Sequence, residues 1–350
     1  MACMVLLSSV FSAFSVFQLW AFDAVRPGKK IEFPRDAGSH PNHRIEWWYV
    51  TGHLDTDKGP MGFQVTFFRL RNKQAEDNPS TFSPRQLLFA HAALADPAKK
   101  RLLSDQRSAR MLPGLVEASE SDTDVRIDDW SLVRAGKAYR ARIEGESFAF
   151  DLELAPTQPA MPQGDAGFSR KGRSPTQASY YYSEPHLRVT GRVRSEGTMH
   201  DVHGIAWLDH EWSSELLAGE AQGWDWLGAN LEGGAALMAF RIRGADGTAL
   251  WAGATHRTAD GSATSFGPTQ VSFTPRRTWK SARTGAQYPV AMDISVGAMK
   301  WTIEPLMDDQ ELDARSSTGT VYWEGAVRVT GASAGRGYLE LTGYAGKLRF

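Results

Sequence analysis

The sequence is poor in the features that most readily assign a function. It has one cysteine in 350 residues, Cys3. That excludes an internal disulfide, a cysteine-ligated zinc and, because Cys3 lies in an apolar leader, a cysteine nucleophile. Charge imbalance is missing too: 39 Lys and Arg stand against 40 Asp and Glu, a formal net charge of -1. Neither nucleic acid nor an anionic membrane is therefore selected as the main partner, although peripheral membrane association stays open. There is no G-x-S-x-G elbow, Walker loop or dinucleotide fingerprint, so acyl-enzyme hydrolysis and nucleotide chemistry lose their usual supports. Long stretches of helical period are few.

What is present starts with the leader. Met1 to Ala21 is apolar and is followed by the polar FDAVRPGKK. An apolar run of this length matches a signal-peptide core and is slightly short for a spanning helix. An export signal to the periplasm or the exterior is the expectation. No Lys or Arg precedes the run and the cleavage site is only weakly of small-x-small type, so an uncleaved anchor or a misassigned start stands as the alternative. Cys3 comes too early for a lipoprotein site.

After Ile31 the chain consists of short alternating runs separated by Gly, Pro, Asp and Asn. RIEWWYVTGHL (44–54) and GFQVTFFRLR (62–71) read as a hairpin. LLFAHAALAD (87–96) reads as a strand by its length and flanking turns. Further strands are expected over 125–134, 138–144 and 147–154, then a long loop over 155–177, of the kind that covers a site. Strands resume at ASYYYSEPHLRVTGRV (178–193) and GIAWLDHEWSS (204–214). The second half repeats the style from GWDWLGANL (223–231) through strands that include VSFTP (271–275) to GYLELTGYAG (337–346). Length exceeds the roughly 100 to 200 residues of one domain, so two are expected, 22–217 and 218–350. All-β regularity in both points to closed barrels or sandwiches, because open edges must be covered. A faint echo, WWYVTG (47–52) against YWEGAVRVTG (322–331), fits a duplication or merely similar strand grammar.

The chemistry concentrates between Trp207 and Leu231, which holds four of the 12 tryptophans, His210, and the acids Asp209, Glu211, Glu215 and Asp225. Strand alternation divides these residues into faces. His210 shares a face with Trp212, and Asp209 shares the other with Glu211. In the same way Glu46 goes with Trp48, Trp47 with Tyr49, and Trp224 with Trp226 opposite Asp225. Either His210 with Trp212 or Asp209 with Glu211 faces a cavity. Singly, each of these residues is explained by core packing, but so many polar groups among aromatics are costly to bury unless they line something. HDVHG (200–204) with His210 and Glu211 fits no standard zinc spacing, and no metal or other cofactor is expected. Ser213 and Ser214 beside His210 do not make a triad. Aromatic walls with buried acids suit addition of water to an alkene. That reaction needs a carboxylic acid kept protonated by desolvation, π-faces for the carbocation and a base for the water. Candidate catalytic groups are the acids Glu211, Asp209, Glu46 and Asp225, with His210 as base. Candidate ligand-binding residues are Trp47, Trp48, Tyr49, Tyr181, Trp212, Trp224 and Trp226.

Eight segments, among them FPRDAGSHPNHRIEWWYVTGHL (33–54), ASYYYS (178–183), AWLDHEWSS (206–214), GWDWLGANL and YWEGAVRVTG, resemble the AttH-like branch of the lipocalin-like carotenoid 1,2-hydratase superfamily. The resemblance implies two antiparallel lipocalin-like (calycin-type) β-barrels packed together, with the motifs near their junction. Members of the branch are commonly labelled secreted hydrolases, and more distant relatives include hydratases of carotenoids and phenolic compounds. His210 and Trp212 match the His-x-Trp pair implicated in the carotenoid hydratases. Their Tyr-x-Asp pair has no counterpart, since Leu237 and Ala239 stand near its place, and Ala37 departs from the branch's usual His. The expected protein is an exported binder of a bulky apolar or amphipathic molecule with hydratase-like or hydrolase-like chemistry. The alternative is a non-catalytic carrier of the cell envelope.

Overall fold

The structure, a computed structural model, describes residues 22–80, 82–215 and 217–348. The expected leader lies outside the described residues. Of the chain, 62% is strand and 3% helical, as the alternating, turn-punctuated sequence requires.

The first sheet has thirteen strands: β1 (Ile45–Thr56), β2 (Gly59–Arg71), β3 (Gln86–Asp96), β4 (Arg101–Arg110), β5 (Val116–Ala118), β6 (Asp124–Ile127), β7 (Trp130–Ala135), β8 (Ala138–Glu144), β9 (Phe148–Pro156), β10 (Met161–Pro162), β11 (Phe168–Arg170), β12 (Ala178–Ser195) and β13 (Thr198–Glu215). The second has ten: β14 (Ala221–Leu231), β15 (Ala236–Gly244), β16 (Ala249–Arg257), β17 (Ala263–Phe266), β18 (Val271–Lys280), β19 (Gln287–Val296), β20 (Met299–Pro305), β21 (Glu311–Ala314), β22 (Thr320–Gly331) and β23 (Gly335–Leu341). Both are antiparallel and barrel-like, the two lipocalin-like barrels expected, one nearly closed and the other a half-barrel.

The two sheets share one topology. Their orders are β4-β3-β2-β1-β13-β12-β9-β8-β7-β6-β5 and β17-β16-β15-β14-β23-β22-β20-β19-β18. In each, the first strand pairs with the last, so β1 corresponds to β14, β13 to β23 and β12 to β22. The sequence echo therefore joins strands that are not counterparts, β1 and β22, and reflects strand grammar.

Three expected elements differ in detail. The run 125–134 is two strands rather than one, because Asp128 takes a left-handed conformation (φ 54°) and turns the chain back. The loop 155–177 is not free of structure: β10 and β11 pair with β12. The strand begun at VSFTP runs on to Lys280.

Alternation gives each barrel two different faces. Inward-facing residues such as Trp48, Phe63, Trp130 and Trp212 fill the first barrel, and Tyr288, Met292, Trp301 and Trp323 fill the second. A third apolar cluster lies between the barrels, on their outer faces, and includes Tyr49, Tyr181, Trp207, Trp226, Phe240 and Tyr338. The barrels touch closely there, and a Cβ on Gly62 would stand 2.6 Å from the Ala326 methyl across the junction.

Candidate functional site: a crevice between the two sheets

Cross-strand register sorts the sequence candidates. In the first sheet Trp47, Glu211 and Tyr181 form one row and Tyr49, Asp209 and Ser183 the next, all on the outer face. Trp48, His210 and Tyr182 form a row on the inner face, beside Glu46, Trp212 and Tyr180. In the second sheet Glu324, Glu340, Trp226 and Phe240 are successive neighbours across β22, β23, β14 and β15. The outer rows of the two sheets face each other.

Between them lies a crevice of about 730 Å³, its open mouth included. Trp47, Tyr49, Trp224, Trp226, Asp209 and Glu211 line it, and these are candidates from the sequence. Residues that the sequence reading did not single out complete it: Thr66, Phe68, Lys171, Leu217, Phe240, Ile242, Tyr322, Glu324 and Glu340. Tyr181 lies behind the wall, where its hydroxyl accepts from Trp226 Nε1 at 3.0 Å and donates to Asp209 Oδ2 at 2.6 Å. The register itself could have revealed Glu324 and Glu340, since each is a carboxylate in an otherwise apolar strand segment, YWEG and YLEL. Lys171 carried no such signal, being one basic residue of several in a loop-like stretch.

The four acids of the crevice are held differently. Asp209 accepts from Trp207 Nε1 (2.6 Å), Ser183 Oγ (2.5 Å) and Tyr181. Burial outweighs those donors and pushes it up to about 7. Glu211 pairs with Lys171 Nζ at 2.9 Å and accepts from Ser179 Oγ. The Lys171 ammonium also lies 4.2 Å from the Phe240 ring centre and 4.8 Å from that of Tyr181, cation–π distances. Glu324 accepts from Tyr49 OH at 3.0 Å through Oε2. Its burial, with the nearby Glu340 charge, holds it well above the usual carboxylate range. Glu340 accepts from Trp224 Nε1 at 2.9 Å, and burial together with the charges of Asp209 and Glu211 pushes it up to about 7.

The inner-face candidates form a separate, buried network inside the first barrel. Glu46 Oε1 receives His40 Nδ1 at 2.6 Å and His210 Nε2 at 2.9 Å, and Oε2 receives Arg69 Nε at 2.8 Å. His40 Nε2 lies 3.1 Å from Asp36 Oδ1, and Tyr182 OH lies 3.2 Å from His210 Nδ1. Burial opposes charge on both imidazoles. It prevails at His210, whose pKa is lowered, whereas two flanking carboxylates raise that of His40. Burial would raise Glu46, yet His40 and Arg69 hold it well below the usual range. Trp212 stacks on His40 (3.8 Å, 5°), and Trp48 on His210 (4.7 Å, 20°). Asp225 lies elsewhere, in the second barrel, bonded to Arg241, Arg243 and Tyr344.

Among the described residues, His40, Glu46 and His210 are the group whose ligand atoms are close enough to hold a metal, within 4.8 Å of one another. The donor set does not suit one. Each nitrogen of the His40 ring is already engaged by a carboxylate, Glu46 on one side and Asp36 on the other, and Arg69 occupies the second oxygen of Glu46. A cation would have to displace hydrogen bonds that already satisfy the buried groups. Leu237 and Ala239 belong to the apolar core of the second barrel, apart from this network.

The geometry can be set beside known proteins. The AttH-like family model matches residues 24–344. The crystal structure of a Nitrosomonas europaea protein described as AttH is 54% identical, covering 92% of this chain and 100% of its own, with a TM-score of 0.87. Kievitone hydratase from Nectria haematococca is 16% identical over 93% of this chain and 94% of its own, with a TM-score of 0.67. CghA is 15% identical over the same shares, with a TM-score of 0.54. At such identities the last two share the fold. No curated protein sequence matches significantly.

Proposed function

The chain belongs to the AttH-like family, and from that premise we propose that it binds a bulky apolar or amphipathic small molecule in the crevice between its barrels and adds water to it. One observation carries the reading: an aromatic-walled crevice into which carboxyl groups project, with burial favouring the proton on Asp209, Glu324 and Glu340 and holding Glu324 well above the usual carboxylate range. Acid-catalysed hydration needs those components together. A neutral carboxylic acid can deliver a proton to a double bond, and indole and phenol faces stabilise the cation that results. A structural neighbour of the same fold bears the name kievitone hydratase. The reaction class is carried over here and its substrate is not. Asp209 and Glu211, with hydrogen bonds and an ion pair already committed, shape the floor, while Glu46 and His210 hold β1 and β13 together from behind. The apolar leader fits a site of action in the cell envelope or outside the cell.

The test is mass spectrometry of molecules bound by the full chain from an envelope lipid extract, before and after incubation. A bound molecule that gains the mass of one water supports the reading. Ligands captured and released unchanged would make the protein a carrier and overturn the hydratase half. Failure to capture any molecule overturns both halves.

A further inference from the structure

Glu324 and Glu340 stand directly opposite each other on β22 and β23, where side chains on one face are about 4.5–5.5 Å apart at Cβ. Both line the crevice. Their surroundings differ in a way that sorts their roles. Glu324 is 1% exposed, and while Oε2 accepts from Tyr49, its Oε1 is buried and, among the described residues, has the Gln64 amide nearby without a well-formed hydrogen bond. A buried carboxylate oxygen so weakly solvated is costly as an anion and much less so when it carries the proton. Glu340 is partly exposed, and Trp224 Nε1 donates to it, which suits the charged form. Beside them, Tyr322, Trp226 and Phe68 present aromatic surface.

We propose that Glu324 and Glu340 form an acid–base pair that shares one proton and performs the hydration, Glu324 as proton donor and Glu340 as the base that activates water. This rests on the crevice reading above. The substrate class is a neutral olefin. Glu324 Oε1–H gives its proton to one alkene carbon, and the π electrons form the new C–H bond. The other carbon, now cationic, faces the aromatic wall. Glu340 takes a proton from water as the water oxygen bonds to that carbon. One water is added across the double bond and one proton remains on the pair, having passed from Glu324 to Glu340. Its return to Glu324 restores the starting state.

A substrate-free measurement tests the pair. The full chain, Glu324→Gln and Glu340→Gln are titrated by infrared difference spectroscopy, reading the carbonyl stretch of protonated carboxyls. Nile red binding, with Trp226→Ala as the control for its location, is measured on the same samples. The expected result is a protonated-carboxyl absorption with a Glu324 component that disappears in Glu324→Gln, while the components of Asp209 and Glu340, which ionise near pH 7, remain. In Glu340→Gln the Glu324 component is lost at lower pH than in the parent, because the neighbouring negative charge that favours protonation has gone. A band unaffected by Glu324→Gln, or a titration unmoved by Glu340→Gln, overturns the pair. Nile red binding that Trp226→Ala leaves intact counts instead against the crevice as the binding site. Turnover is then read with geraniol, farnesol and geranylgeraniol in ¹⁸O-water. Labelled alcohol from the parent, reduced at least a hundredfold in both variants, supports the step. Labelled alcohol retained in both variants, or none from the parent with any of the three, overturns it.

Discussion

At the scale of single residues, the most consequential group is Glu46. It is fully buried, and it answers the Arg69 guanidinium and two imidazoles at once. Glu46→Ala leaves Arg69 buried with backbone and Gln86 acceptors only. The expected loss is about 3–5 kcal/mol, the usual cost of breaking a buried pair on one side, measurable by urea denaturation. His210→Gln separates the two places where chemistry could reside. Turnover per folded molecule that survives the substitution locates the reaction in the crevice, and turnover that vanishes returns it to the barrel interior. The sequence made the division of residues into faces legible, since period-two alternation is a strong signal. It could not say which face meets a cavity. That depends on where the second barrel docks, and no local pattern encodes a contact between Tyr49 and Glu324, 275 positions apart.

At the scale of elements, the hairpin β1–β2, the aromatic strands β12 to β14 and most strands of the second half were readable, because β-branched and aromatic residues alternate between turn residues. Strand β4 was not. Its sequence, RLLSDQRSAR, is mostly polar and carries only one fully inward residue, Leu103. Pairing with β3, not its own pattern, makes it a strand. The short strands β10 and β11 likewise exist because β12 offers them an edge, and their position brings Lys171 to the crevice. A packing prediction belongs here. Gly62 on β2 meets Ala326 on β22 with no room for a side chain. Gly62→Val forces the barrels apart locally, with an expected destabilisation of about 1–3 kcal/mol from overpacking. Urea denaturation reads the loss, and weaker Nile red binding reads the widened crevice.

At the scale of the molecule, the two barrels are joined by buried polar contacts as well as by apolar surface. His53 Nε2 meets the Gly337 carbonyl at 2.9 Å, His91 Nδ1 meets Tyr322 OH at 2.7 Å, and Asn230 Nδ2 donates to the Ala206 carbonyl at 3.1 Å. One cooperative unfolding transition is therefore expected rather than two, with calorimetric and van't Hoff enthalpies in agreement. The junction also sets an acid limit. Burial lowers His53 to about 4 and His91 to about 3, from the ordinary 6.5. Both are neutral in the folded and unfolded chains above pH 6.5, so they add no pH dependence there. Below it the unfolded chain takes up protons that the folded one refuses, and stability falls progressively towards pH 3–4. His91→Gln should make that decline shallower, as read from melting temperature against pH.

The crevice takes one wall from each barrel, so whatever fills it fastens the two halves of the molecule to each other. Occupancy is thereby convertible into heat resistance: a compound present at a hundred times its dissociation constant raises the unfolding free energy by about 2.7 kcal/mol. Melting curves run against a library of isoprenoids, phenolics and lipids would rank candidate substrates without any assay for their conversion.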